Sequence, residues 1–369
     1  MSKIDDLIQE LCPDGVEFVE LCDILSYEQP GKYIVSSTKY DDSYPTPVLT
    51  AGQSFYLGFT DETEGIFEAS NDNPVIIFDD FTTSFHWVDF SFKVKSSAMK
   101  MLRLSNDCCL FRYVYHVMKN IRYAPVDHSR QWIGVYSKFK IPVPPMEIQE
   151  EIVRILDSFT ELEKELEKEL SLRQKQYEYY RDYLMTSYMG GDFLLGNLVG
   201  MKAGKSVSAS DVSKTVTDSH VIGCYGGGGL RGYVEKPNNE VSRILIGRQG
   251  ANCGKVFYAE APFYATEHAV VVLPSDLVDE RYLEHMLQWK DLSSFKTAGA
   301  QPGLSVAVLK QVHVTIPGLG IQKNIGKTLD CLRSLMTNGE LGICSELQCR
   351  RKQYEYYRDK LLTFKEKVS

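Results

Sequence analysis

Apolar positions recur at steps of three and four through Ile148, Ile152, Ile155, Phe159, Leu162 and Leu166, and after Leu170 the register resumes at Tyr177, Tyr180 and Leu184. This period keeps one helix face apolar and predicts a coiled-coil strand. The intervening ELEKELEKEL supplies charged outer faces and strong helix formers. A second seam starts at Ile321, Ile325, Leu332 and Leu335 and continues at Leu347, Tyr354, Tyr357 and Leu361. Asn338, Gly339 and Gly342 fall between its two parts, so a kink is expected there, with the helix resuming by about Ser345. Before each seam the pattern changes to short β-rich runs broken by Gly, Asn and Pro: PVIIFDDF and SFHWVDFSFKV in the first region, SRILIGRQG, GKVFYA and HAVVVLP in the second. Each region also holds one amphipathic helix candidate, around Leu110 to Asn120 and around Glu280 to Trp289.

The order globule, helix, globule, helix is a duplication. KQYEYYRD occurs at Lys175 to Asp182 and, letter for letter, at Lys352 to Asp359, a spacing of 177 residues. VPPMEIQ (Val143 to Gln149) answers IPGLGIQ (Ile316 to Gln322), and ILD at Ile155 to Asp157 answers TLD at Thr328 to Asp330, a spacing of 173. The second copy has therefore gained four residues, about one helical turn, between its matching ends. Fainter matches put Gly52, Gly58 and Phe59 opposite Gly226, Gly232 and Tyr233, and VIIF (Val75 to Phe78) opposite ILIG (Ile244 to Gly247). In that alignment Asp79 and Asp80 face Arg248 and Gln249. The expected fold is α+β: two small mixed α/β regions, residues 14–145 and 191–317, alternate with helical regions 146–190 and 318–369 after a helical segment 1–13. The two long helices are expected to pair as an antiparallel coiled coil with pseudo-twofold symmetry.

Composition narrows the function. At 369 residues, 43% hydrophobic and 24% charged, the chain suits two soluble domains. No apolar run reaches the roughly 18 residues of a membrane span, and the acidic start is unlike a signal peptide, so a cytoplasmic location is expected. Nine cysteines without a CxxC pair read as reduced thiols, and no histidine pattern suggests a metal. A net charge of −8 argues against a basic clamp on nucleic acid. Residues 14–141 carry 12 basic and 17 acidic side chains, and residues 192–316 carry 12 of each. Any DNA binding must then rest on base contacts, with partners supplying much of the phosphate contact. GMKAGKS at Gly200 to Ser206 is one residue short of a phosphate-binding loop and lacks a following helix pattern, and no methyltransferase cofactor motif is present. No catalytic residue, cofactor or metal ligand is assigned.

These parts, in this order, resemble the DNA-specificity subunits of Type I restriction-modification systems over essentially the whole chain. The resemblance is carried by the duplicate KQYEYYRD, the opening IDDLIQELCPDGVEFVEL, the GRQGxxxGKV stretch from Gly247 to Val256, AGAQPGLS from Ala298 to Ser305, and the proline-rich entry to each helix followed by IQ. It implies two target recognition domains, each reading half of a split site on double-stranded DNA, and paired helices that set the spacer. It also implies two methylation subunits as partners, with restriction and translocase subunits in the full complex; S-adenosylmethionine and ATP belong to those partners. The alternative from another class is a non-catalytic coiled-coil scaffold whose globules bind proteins or small ligands.

Candidate DNA contacts follow from residue type. In YGGGGLRGY, Tyr225, Gly226, Gly227, Gly228 and Gly229 let backbone approach a ligand and Arg231 can reach phosphate or guanine, against a flexible surface turn as the plainer reading. Arg248, Gln249 and Gln301 are base-reading candidates, and Lys202 and Lys205 phosphate candidates. In the first region the candidates are Lys32, Lys39, Tyr40, Gln53, Thr82, Thr83, His86 and Arg130. Tyr177, Tyr180, Tyr354 and Tyr357 lie on the seams and read as helix packing. Lys175, Tyr179, Arg181 and Asp182, identical to Lys352, Tyr356, Arg358 and Asp359, are expected to face outward and to bind the two partner copies. Recent duplication without selection is the alternative for those matches.

Overall fold

The computed structural model describes residues 3–52, 54–297, 303–337 and 342–367. The chain begins with α1 (Lys3–Leu11), β1 (Glu17–Glu20), α2 (Leu21–Ile24), β2 (Leu25–Glu28), β3 (Thr46–Leu49), β4 (Tyr56–Thr60), β5 (Val75–Asp79), β6 (Phe85–Val88), β7 (Lys93–Val94), β8 (Met99–Leu104), α3 (Phe111–Asn120) and β9 (Lys140–Val143). After the long α4 (Met146–Thr186) come β10 (Gly191–Leu194), α5 (Leu195–Leu198), β11 (Val199–Ala203), β12 (Ile222–Gly226), β13 (Gly229–Val234), β14 (Arg243–Gly247), β15 (Val256–Ala259), β16 (Phe263–Ala265) and β17 (Ala269–Pro274). The chain closes with α6 (Glu280–Trp289), α7 (Val306–Lys310), β18 (His313–Ile316), α8 (Leu319–Ser334) and α9 (Ile343–Leu361).

The duplication is exact at the level of topology. One half holds sheets β2-β8-β5-β6, β4-β3-β7 and β1-β9; the other holds β11-β17-β14-β15, β13-β12-β16 and β10-β18, each strand nine places on. Even the irregularity repeats: the β3–β4 hairpin slips register between Val48 and Leu49, and β12–β13 between Cys224 and Tyr225. Gly58 and Gly232, both at positive φ, stand at the same register position beyond that slip. Tyr40 packs against Gly58, where a Cβ would come within 2.6 Å of the tyrosine Cβ, so a glycine is required sterically as well as by φ.

Two compact units result, Met1–Glu165 with Gln348–Ser369, and Leu166–Leu347. Each combines one globular region with helix from both copies of the repeat. In the first, Phe159 of α4 stacks on Tyr357 of α9 at 5.4 Å between centroids, and Glu163 pairs with Arg351 at 2.5 Å. Rising numbers on α4 meet falling numbers on α9, so these segments run antiparallel. The buried seam is Ile148, Ile152 and Leu156 rather than Ile155, and Leu162 and Tyr180 are exposed. In the second unit Tyr177, Leu184 and Met185 of α4 share a core with Ile325, Leu329 and Leu332 of α8. The second repeat is broken, as its glycines predict: α8 ends at Ser334 and α9 begins at Ile343. Asn338 and Gly339 lie outside the described residues. Among the described residues no helix is long and apolar enough to cross a membrane.

Each globular region is fastened to helix by the same five residues. Gln149, wholly buried, accepts from Leu110 N at the start of α3 at 2.8 Å and donates to Pro144 O at 2.8 Å. Gln322, equally buried, accepts from Asp279 N at the start of α6 at 2.9 Å and donates to Pro317 O at 2.8 Å. Both therefore satisfy a donor that the helix start leaves open, which explains the shared IQ. On α3 the sequence RYVYH places Arg112 and His116 over Asp157; on α6 RYLEH places Arg281 and His285 over Asp330. The other ring nitrogen of each histidine meets a tyrosine of KQYEYYRD, His116 with Tyr354 at 3.3 Å and His285 with Tyr177 at 2.8 Å. Since the carboxylate can only accept, Nε2 of each ring donates and Nδ1 accepts from the tyrosine hydroxyl. Tyr177 and Tyr354 thus act through a hydrogen bond to a globular region as well as through apolar packing.

Candidate nucleic-acid interface

The glycine run of the second region forms one wall of a cavity of about 610 Å³, lined by Gly226, Gly227, Gly228, Gly229, Leu230, Arg231, Gln249, Gly250, His268 and Gly303. Four segments far apart in sequence meet there, three of them because of the strand order and Gly303 through its bridge to Gln249. The β12–β13 hairpin carries the glycines, the turn after β14 carries Gln249, and the turn before β17 carries His268. Arg248 N donates to His268 O at 3.0 Å, extending the β14–β17 ladder by one residue and fixing Gln249 beside the imidazole. His268 Nδ1 hydrogen-bonds Gln249 Oε1, and an amide oxygen only accepts, so Nδ1 carries the proton and the Gln249 amino group is left to donate. Glu267 Oε1 lies 3.5 Å from His268 Nε2. Arg231 is exposed on the hairpin.

Several glycines are compelled by close backbone. A Cβ on Gly247 would fall against the carbonyl oxygen of Gly227 and that of Asn252, neither of which can swing aside. Gly303, by contrast, has only ordinary contact at 3.6 Å with Thr297 Oγ1. Gly247→Ala is therefore expected to cost about 1–3 kcal/mol by overpacking, and Gly303→Ala within about 0.5 kcal/mol. Urea unfolding of the two variants would show this order; equal midpoints would contradict it.

Of the sequence candidates, the cavity brings together Gly226 to Gly229, Arg231 and Gln249. Tyr225 is half-buried behind them, stacked at 6.0 Å on Phe257. Arg248 is half-buried, with its Nε enclosed and without a partner among the described residues. Lys202 and Lys205 are exposed but do not line this cavity. GMKAGKS begins within β11, paired to β17, which is not the strand-loop-helix of a phosphate site. Gln53 and Gln301 lie outside the described residues. His268 escaped the sequence reading, since only the strand topology places residue 268 beside 249.

In the first region several candidates serve the fold. His86 Nε2 meets Gly52 O at 2.8 Å while its ring stacks on Phe55 at 4.5 Å. Thr83 is buried at φ 60°, and Thr82 Oγ1 lies 2.7 Å from Ser84 Oγ. Tyr40 is half-buried, Lys32 pairs with Glu28 at 3.4 Å, and Lys39 and Arg130 are exposed. The alignment of Asp79 and Asp80 with Arg248 and Gln249 is off by one: Asp80 N donates to Ala98 O at 3.0 Å as Arg248 N does to His268 O, so Asp80 matches Arg248. Gly52 likewise sits inside the hairpin loop, because Thr50 holds the register position of Gly226. Asp80 is no base reader. It is buried, paired with Lys100 at 3.3 Å, and accepts from Trp132 N at 2.9 Å.

On the helices, Lys175, Tyr179 and Asp182 and their counterparts Lys352 and Tyr356 are exposed, Tyr179 by 67% and Tyr356 by 63%. Arg181 and Arg358 do not face fully outward. Each donates to the neighbouring aspartate, Arg181 to Asp182 at 2.8 Å and Arg358 to Asp359 at 2.7 Å, and each lies over a seam tyrosine's ring, that of Tyr177 at 5.9 Å and that of Tyr354 at 5.8 Å. Asp359 also accepts from Arg122 at 2.9 Å and is half-buried. Local geometry therefore accounts for the identical RD pair, and the lysine and exposed tyrosine are what it leaves unexplained.

A family model described as Type I restriction modification DNA specificity domain matches residues 13–172 and again 195–344. The specificity subunit of the Type I restriction enzymes EcoR124I/EcoR124II of Escherichia coli is 36% identical over 400 aligned residues, covering 99% of this chain and 98% of that protein. That of EcoprrI, also from Escherichia coli, is 40% identical over 210 residues, 53% of this chain and 52% of that one. Among solved structures, the S subunit of a Type I restriction-modification system from M. genitalium shares the fold with a TM-score of 0.67 at 16% identity, covering 94% of this chain and 96% of that one.

Proposed function

The chain belongs to the specificity subunits of Type I restriction-modification systems, and from that premise we propose that each of its globular regions reads one half of a bipartite site on double-stranded DNA. The observation that carries this is the strand-for-strand duplication with different side chains at matching places. One fold presented twice, with diverged surfaces, suits a site whose two halves differ in sequence. The recognition regions are residues 14–145 and 191–317; residues 1–13, 146–190 and 318–369 form the helical frame, which sets the spacer. Two methylation subunits bind through Lys175 and Tyr179 and through Lys352 and Tyr356, the repeated residues that local geometry leaves unexplained. Restriction and translocase subunits join them in the full complex. The chain itself is non-catalytic and cytoplasmic, and S-adenosylmethionine and ATP are used by the partners. Base modification then needs the target flipped into the methylation subunit's pocket.

Co-expression with a cognate methylation subunit, followed by single-molecule mapping of modified adenines, tests this reading. A split motif with a fixed gap is expected. A partner that co-purifies without producing any motif would favour a scaffold instead.

A further inference from the structure

Matching hydrogen-bond ladders fix which residues of the two regions are equivalent around the cavity. Leu49 pairs Tyr56 as Tyr225 pairs Leu230, so Leu57 corresponds to Arg231. Asp80 reaches Ala98 as Arg248 reaches His268, so Ala98 corresponds to His268, and Phe81 to Gln249. Three polar groups on the second region's cavity thus replace three apolar residues of the first. Among the described residues, three buried polar atoms on the segments that carry Gln249 and His268 have no partner. Thr266, wholly buried and next to Glu267, has an unbonded Oγ1, as are Glu267 Oε2 and Arg248 Nε. Buried polar atoms are normally satisfied, and these exceptions fall on the chain neighbours of Gln249 and His268.

The chemistry of those atoms selects the ligand. We infer that the second region reads a G·C base pair through Arg231 and the Gln249–His268 pair, and that the first region has no counterpart of this reading. The inference rests on the DNA-reading function proposed above. Arg231 presents parallel donors that fit guanine O6 and N7. In the neutral ring His268 Nε2 is an acceptor, since Nδ1 donates to Gln249, and Glu267 Oε1 is a second acceptor 3.5 Å from it. Two acceptors side by side call for an amino donor, which cytosine N4 supplies on the same base pair. Gln249 acts as a positioning residue that fixes the tautomer of His268. With Leu57, Phe81 and Ala98 at the equivalent places, the first half-site is read by other means.

Motif mapping on the full chain with its methylation subunit tests this through Arg231→Ala and His268→Ala. The native protein is expected to give a split motif with a G·C pair in one half. Each variant should relax that pair by roughly tenfold or more, leaving the other half-site strict, which also reports that the protein is folded. If Arg231→Ala yields no methylation, Arg231→Lys decides: retained guanine at that position carries the inference, and any other base there overturns it. A split motif that stays equally strict at every position in both alanine variants overturns the inference and leaves the DNA-reading function standing. Absence of any split motif from the native protein overturns that function itself.

Discussion

Asp330→Ala is expected to lower the unfolding free energy of the second unit by about 2 kcal/mol, less than for a fully buried charge network because Asp330 is half-buried. Asp330 accepts from Arg281 at 2.7 Å, Arg333 at 2.8 Å and His285 at 2.9 Å. Burial alone would raise its pKa, but the hydrogen bonds from Arg281, Arg333 and His285 outweigh burial and hold the carboxyl well below the usual range. Its removal strands His285 Nε2 and leaves two guanidinium groups sharing Glu284, which is itself 3% exposed. Among the described residues Asp157, the first unit's counterpart, holds only Arg112 and His116, and it is 37% exposed. There Arg112 keeps other company, lying over the rings of Trp87 at 4.8 Å and Tyr115 at 4.9 Å. Asp157→Ala should therefore cost clearly less than Asp330→Ala. Urea titrations of the full-length variants decide it. An equal or larger loss for Asp157→Ala would mean that partner number does not set the strength of these fastenings.

The contrast between these two aspartates shows where sequence was readable. The first tyrosine and the RD pair of KQYEYYRD, the glutamine of IQ and the aspartate of ILD and TLD announce themselves because each is held by more than one contact, and a residue with several obligations varies little between copies. RYVYH and RYLEH are the same fastening seen from the globular side, yet only three of five letters agree. Position 115 is a tyrosine serving a cation–π contact and position 284 a glutamate serving ion pairs. The alternating strands were legible from their apolar runs, but runs such as VIIF and ILIG slide past one another without penalty on paper. Only the ladder, where Asp79 faces Met99 and Gly247 faces Ala269, sets the register and moves Asp80 opposite Arg248. The cavity was half legible. Its glycines and Arg231 cluster in one stretch, whereas His268 and Gly303 arrive from strands and turns that only the fold brings near. Outward-facing residues were misjudged where a short side-chain pair folds back on its own helix, as Arg181 and Arg358 do.

The second unit should also lose stability in mild acid, before Asp330 protonates. Desolvation by burial is the main cause that lowers the pKa of His285, to about 4, and the nearby Arg333 guanidinium adds to it; Asp330 and Glu284 oppose the shift without cancelling it. In the unfolded chain the ring titrates at about 6.5. Between these values the unfolded state binds the proton and the folded state does not. The stability this histidine confers is therefore complete above about pH 6.5 and drains away as pH falls toward 4. A separation of about 2.5 units corresponds to roughly 3 kcal/mol. His116 shifts in the same direction, again chiefly through burial, against the pull of Asp157. The carboxyls of Asp330 and Glu151 have depressed pKa values, Glu151 about 2, so their stabilisation persists through this window and is lost only below it. Urea unfolding at a series of pH values, native against His285→Gln, separates the contributions. Glutamine lacks the titration, so the variant should start less stable at pH 7 and fall less steeply down to pH 4. Parallel curves would show that His285 is not the group that charges, and that acid acts through the carboxylates alone.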